Sequence, residues 1–157
     1  MRDWTVIFFT LIIAFVLTLL PMPAVTIWFR PAWVLMLLIY WNMSLPNRIN
    51  IGFAWWSGLT MDLLNGTLLG AHALGFTIII YFVNRMHLRL RVYPLLQQSW
   101  TVLLLVGLYQ LILYSIQGFV GQLPGSHLYW FSAMMSALLW PWFFRFMRDC
   151  QQWFRVA

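Results

Sequence analysis

Lysine and glutamate are missing from this sequence, aspartate occurs three times and cysteine once. Only 8% of the 157 residues are charged, while 63% are hydrophobic and 19% aromatic. A water-facing domain carries about 25% charged residues, so this chain cannot clothe an ordinary soluble surface. Its composition is that of an integral membrane protein. So few carboxylates argue against carboxylate-driven catalysis, and the single Cys150 excludes an internal disulfide and a cysteine-built metal site. What charge there is leans strongly to one sign, nine arginines against three aspartates, for a net charge of +6.

Six apolar segments are separated by Pro, Gly, Asn or Arg, at about 4–20, 31–45, 48–64, 73–83, 99–117 and 129–144. A membrane-crossing helix takes about 20 apolar residues. Six of them use most of the chain, which predicts one all-α domain over 1–157: a compact bundle of about six transmembrane helices with no globular domain on either side. Met1-Arg2 and the apolar run behind it resemble a signal peptide, but no soluble body follows, so the run reads as the first transmembrane helix. Pro21 and Pro23 stop the first segment, Pro46 the second, and Asn65-Gly66 is a turn signal after the third. Segments two to four are short for a full crossing.

Basic loops resist translocation. Arg2, Arg48, Arg85, Arg89, Arg91, Arg145, Arg148 and Arg155 all fall on one side of this layout, and only Arg30 on the other. Both termini are therefore expected in the cytoplasm. Arg85, Arg89 and Arg91 form a basic surface suited to anionic lipids or a cytoplasmic partner, or serve the topology signal alone. Arg145, Arg148 and Arg155 share one face of an expected amphipathic tail over 145–157. Tryptophans near segment ends, among them Trp33, Trp41, Trp100, Trp140 and Trp142, read as headgroup anchors.

Asp62 is the residue that demands an explanation, since an ionisable group inside an apolar helix is costly and by default functional. Gly58, Asp62 and Gly66 recur every four residues, giving a face on which another backbone can come close. Gly70 continues that small-residue pattern beyond the turn. If segments two and three turn back between Pro46 and Asn47, Asp62 lies opposite Pro31, which predicts an ion pair with Arg30. Two alternatives stay open: Asp62 bonds the Asn65-Gly66 turn at its helix end, or it relays protons or holds substrate. His72, His87 and His127 fall on separate connections without metal-ligand spacing, so no metal or cofactor is expected. No nucleophile elbow, phosphate loop or HExxH motif occurs, and nucleic-acid binding does not fit a chain this lipid-soluble.

Four stretches are informative in combination: Phe29-Arg30-Pro31-Ala32-Trp33-Val34-Leu35, then Leu45-Pro46-Asn47-Arg48-Ile49-Asn50-Ile51-Gly52, then Asp62-Leu63-Leu64-Asn65-Gly66 with Leu69-Gly70, and Trp140-Pro141-Trp142. Together they resemble the rod shape-determining protein MreD family, and closely its gammaproteobacterial branch. The resemblance implies a multi-pass protein of the bacterial inner membrane, belonging to the machinery that makes lateral cell-wall peptidoglycan. It implies binding to the single-span partner MreC and, through it, association with MreB filaments and the elongation synthase and transpeptidase. The family's acidic and glycine positions correspond to Asp62, Gly66 and Gly70. The family is also described as similar to the substrate-binding subunits of vitamin transporters. Two functions follow for the chain: a non-enzymatic scaffold whose packing face of Gly58, Asp62, Gly66 and Gly70 meets a partner helix, or a membrane small-molecule binding subunit. The latter would draw on Asn42, Ser44, Asp62, Gln110, Ser115 and Gln117 for its pocket. The sequence leaves open whether a second copy binds to form a homodimer.

Overall fold

In a computed structural model that describes residues 2–19, 33–44, 49–65, 70–121 and 131–154, every regular element is helical. The helices are α1 Arg2–Leu19, α2 Trp33–Ser44, α3 Ile51–Asn65, α4 Ala71–Val92, α5 Leu95–Val120 and α6 Phe131–Trp153. One stretch among them, Leu95–Phe119, is long and apolar enough to cross a membrane; Trp4–Leu19 and Trp33–Ser44 are shorter apolar helices. At 1.5 Å per residue α5 measures about 39 Å, more than the roughly 30 Å of bilayer hydrocarbon.

α2 occupies the centre. Ten consecutive residues, Val34 to Met43, are buried, because α2 packs against α1, α4 and α6 at once. A helix apolar all round needs such a position. α4 is the second hub, packed on α3, α2 and α5. α1 is apolar on both faces: Val6, Ile7, Leu11 and Ala14 point inward, while Phe9, Ile12, Ile13 and Val16 lie exposed. A soluble protein seldom leaves so large an apolar strip bare.

Helix ends follow local chemistry. Asn50 Oδ1 accepts the Phe53 N–H at 3.1 Å and caps the start of α3. α4 stops because Tyr93, ahead of Pro94, is extended at φ −67° and ψ 143°.

Three features depart from the expectations. α4 does not end near 83 but continues as helix through Arg85, Arg89 and Arg91, with the Arg85 guanidinium 5.2 Å from the centre of the Tyr81 ring. The stretch from Arg145 to Trp153 is no separate tail but the continuation of α6. Met147 is buried there, and Tyr40 Oη donates to Gln151 Oε1 at 2.6 Å, tying the helix to α2. Trp41 and Trp140 are not headgroup anchors. Both are fully buried, and their indole N–H groups donate at 3.2 Å to Thr10 Oγ1 and Gln98 Oε1 respectively. An indole can enter a core when its N–H finds such a partner.

Candidate functional site: the Asp62 clamp

α3 and α4 form an antiparallel hairpin that comes closer than side chains normally permit. A Cβ placed on Gly58 would lie 2.3 Å from Ala73 Cα and 2.5 Å from Ala73 N. Only glycine lets the backbones of α3 and α4 meet there. One turn further along α3, Asp62 is 1% exposed. Its Oδ2 accepts the Gly70 N–H at 2.8 Å and its Oδ1 the His72 N–H at 3.1 Å. His72 Nδ1 lies 2.6 Å from the same Oδ1. That contact is a hydrogen bond between ring nitrogen and carboxyl, in which Nδ1 donates when the carboxyl is ionised.

The carboxylate therefore does the work of an N-cap, delivered from the neighbouring helix. The first N–H groups of a helix have no partner within it, and the helix dipole favours negative charge at that end. Gly70, the residue at the cap position, has no side chain to offer and adopts a left-handed φ of 99°, where glycine is at ease. Beyond the carboxylate the His72 ring contacts two aromatic rings, Phe76 and Tyr109, each 6.1 Å away between centres. Gly75 gives Tyr109 room: a Cβ there would meet its ring at 2.9 Å. The clamp thus joins α3, α4 and α5.

A second polar knot ties the opposite end of α4. Gln98 Nε2 donates to the Leu90 carbonyl at 2.7 Å and Gln98 Oε1 accepts from Trp140, so one buried side chain links α4, α5 and α6. These bonds put Arg85, Arg89 and Arg91 at the same end of the bundle as Arg145 and Arg148, with all five side chains exposed. Arg155 lies outside the described residues.

Arg30 and Gly66 also lie outside the described residues, and with them the expected Arg30–Asp62 pair and the Asn65-Gly66 bonding. His72, expected on a connection between segments, is instead in the first turn of α4 and against Asp62. Part of the signal was present: folding segments three and four, rather than two and three, about Asn65-Gly66 sets Asp62 opposite residue 69, close to the start of α4, though not at His72 itself. Gln98 carried no such signal. Asn42 is buried on α2, where its Nδ2 donates to the Ile49 carbonyl across the turn into α3. Ser115 is exposed and bonds Leu111 within its own helix. None of the six pocket candidates lines the groove between α5 and α6 or the smaller cavity among α1, α2 and α6. Among the described residues, no three His, Cys, Asp or Glu side chains come together.

An apolar exterior and a buried carboxylate spent on fastening one helix to another define the class: a helical membrane protein. The family model for the rod shape-determining protein MreD matches residues 1–150. The chain is also 36% identical over 153 residues to the rod shape-determining protein MreD of Haemophilus influenzae, an alignment covering 96% of this chain and 93% of that protein. The chain belongs to the MreD family. No solved structure matches it.

Proposed function

We propose that this protein is a non-enzymatic, multi-pass scaffold of the inner-membrane machinery that elongates the lateral cell wall, with both termini in the cytoplasm. In this reading it binds an MreC-type single-span partner and through it holds MreB filaments and the elongation synthase and transpeptidase in one assembly, so that peptidoglycan is added along a rod. The observation that carries the proposal is the family match, which extends over residues 1–150 and so takes in nearly the whole helical body.

The clamp supports it physically. Helices in lipid associate through close packing and satisfied polar contacts rather than hydrophobic burial. Gly58 and Asp62 provide both, and their use on α4 makes α3 and α4 a stiff unit against which a partner helix can rest. The packing face of Gly58, Asp62, Gly66 and Gly70 then acts in partner binding by setting the shape of that unit. The arginines at the other end, Arg85, Arg89, Arg91, Arg145 and Arg148, meet anionic lipid headgroups in this reading, and Arg155 adds to the same basic set by sequence.

Conditional depletion in the native host tests the proposal, with cell shape imaged while vitamins are supplied or withheld. Rods that swell into spheres under both conditions support the scaffold. Rods that persist while growth comes to depend on a supplement would replace it with the small-molecule binding subunit.

A further inference from the structure

α5 and α6 run antiparallel and leave between them a groove of about 360 Å³. Leu96, Trp100 and Leu103 form one wall; Leu138, Pro141 and Trp142 belong to the other. Ser99 is the one hydroxyl in the lining, and it is spent on its own helix, its Oγ donating to the Leu95 carbonyl at 2.9 Å. A small polar ligand is held by several fixed polar groups, and these walls of hydrocarbon and indole do not supply them.

The length of the groove selects the occupant. From Trp142 to Met134, its extremes on α6, the wall runs about 12 Å at 1.5 Å per residue. Half of the hydrocarbon core, one leaflet, is about 15 Å deep. A partner helix crossing the membrane would need about twice that length; an acyl chain needs no more than one leaflet. Charge then selects its headgroup. Arg145 follows Pro141 by four residues and Trp142 by three, so it continues the same wall by one helical turn. Arg91 and Arg148 lie exposed at the same end, and Trp142 beside them is 62% exposed, as an indole at the headgroup boundary would be.

We propose that this groove is a phospholipid site: it takes one acyl chain of an anionic phospholipid, whose phosphate sits at Arg145. The proposal rests on α5 and α6 crossing a bilayer, and is independent of the scaffold's role in cell shape.

The test uses the full chain, reconstituted in nanodiscs of equal parts phosphatidylglycerol and phosphatidylcholine, with retained lipid read by native mass spectrometry. The wild type should keep one phosphatidylglycerol. Ala137 also lines the groove, so Ala137→Phe fills it and should lower retained lipid by more than about tenfold. Arg145→Gln, remote from the core, should keep a lipid but lose about fivefold of the preference for phosphatidylglycerol. Equal retention by Ala137→Phe, an unchanged preference in Arg145→Gln, or displacement of the lipid by a single-span partner would each overturn the proposal. Loss of the wild-type protein from the membrane fraction would strike the bilayer reading on which it rests, and a normal cell shape on depletion would strike only the scaffold.

Discussion

The two hairpins of this protein solve the same packing problem in opposite ways. α3 and α4 are drawn into backbone contact at Gly58 and Ala73, and Asp62 closes the gap with three contacts to Gly70 and His72. α5 and α6 also pack on each other, bonded through Gln98 and Trp140, but leave a groove of about 360 Å³ beside that contact. The first hairpin has a glycine and an acid where the helices meet; the groove of the second is walled by Leu, Trp and Met side chains. In lipid there is no hydrophobic gain from closing such a groove, so it persists. Small residues and one satisfied carboxylate make a rigid joint, and large apolar side chains make a surface for something else to fill.

That contrast can be broken most directly at the acid. Asp62→Ala leaves the Gly70 N–H, the His72 N–H and the His72 ring without their acceptor inside the bundle, and should cost about 3 kcal/mol. Thermal unfolding in detergent measures it, alongside recovery of a tagged single-span partner. A loss no larger than that from removing an exposed arginine such as Arg89 would sink the clamp. Gly58→Leu should follow at about 2 kcal/mol, because the new side chain meets backbone that cannot rotate away. Unchanged stability and partner recovery there would mean that the close approach carries no weight. Gln98→Leu, which matches the volume but strands the Trp140 N–H and leaves the Leu90 carbonyl with the Tyr93 N–H alone, should cost about 1–2 kcal/mol. It should raise amide exchange where α4, α5 and α6 meet while leaving the start of α4 protected. Exchange spreading to His72 would show that the two polar knots are one cooperative unit.

The helical class and the approximate placing of six helices were legible because apolar runs and proline or asparagine–glycine breaks are local signals. Helix ends were less so. α4 continued past residue 83 because nothing in Arg85 to Arg91 breaks a helix, and charge alone was read as a boundary. The tail over 145–157 looked like a separate amphipathic helix because the Tyr40–Gln151 bond, linking residues 111 positions apart, leaves no trace in periodicity. Two tryptophans were misjudged for a related reason: an indole at a segment end looks the same whether it is exposed, like Trp142, or bonded to a buried oxygen on another helix, like Trp140.

Asp62 stood out from the sequence because an acid is rare in an apolar helix, and Gly58 because it lies one turn before that acid on the same face. Their partners did not, since a partner depends on which hairpin closes. Composition alone determined that this chain belongs in lipid: with 8% of its residues charged, no arrangement of the helices could give it a wetted surface. The tertiary structure decided where its few polar groups go. A buried carboxylate or amide must find donors and acceptors wherever the fold brings them, and here that meant the start of α4 for Asp62 and the junction of three helices for Gln98.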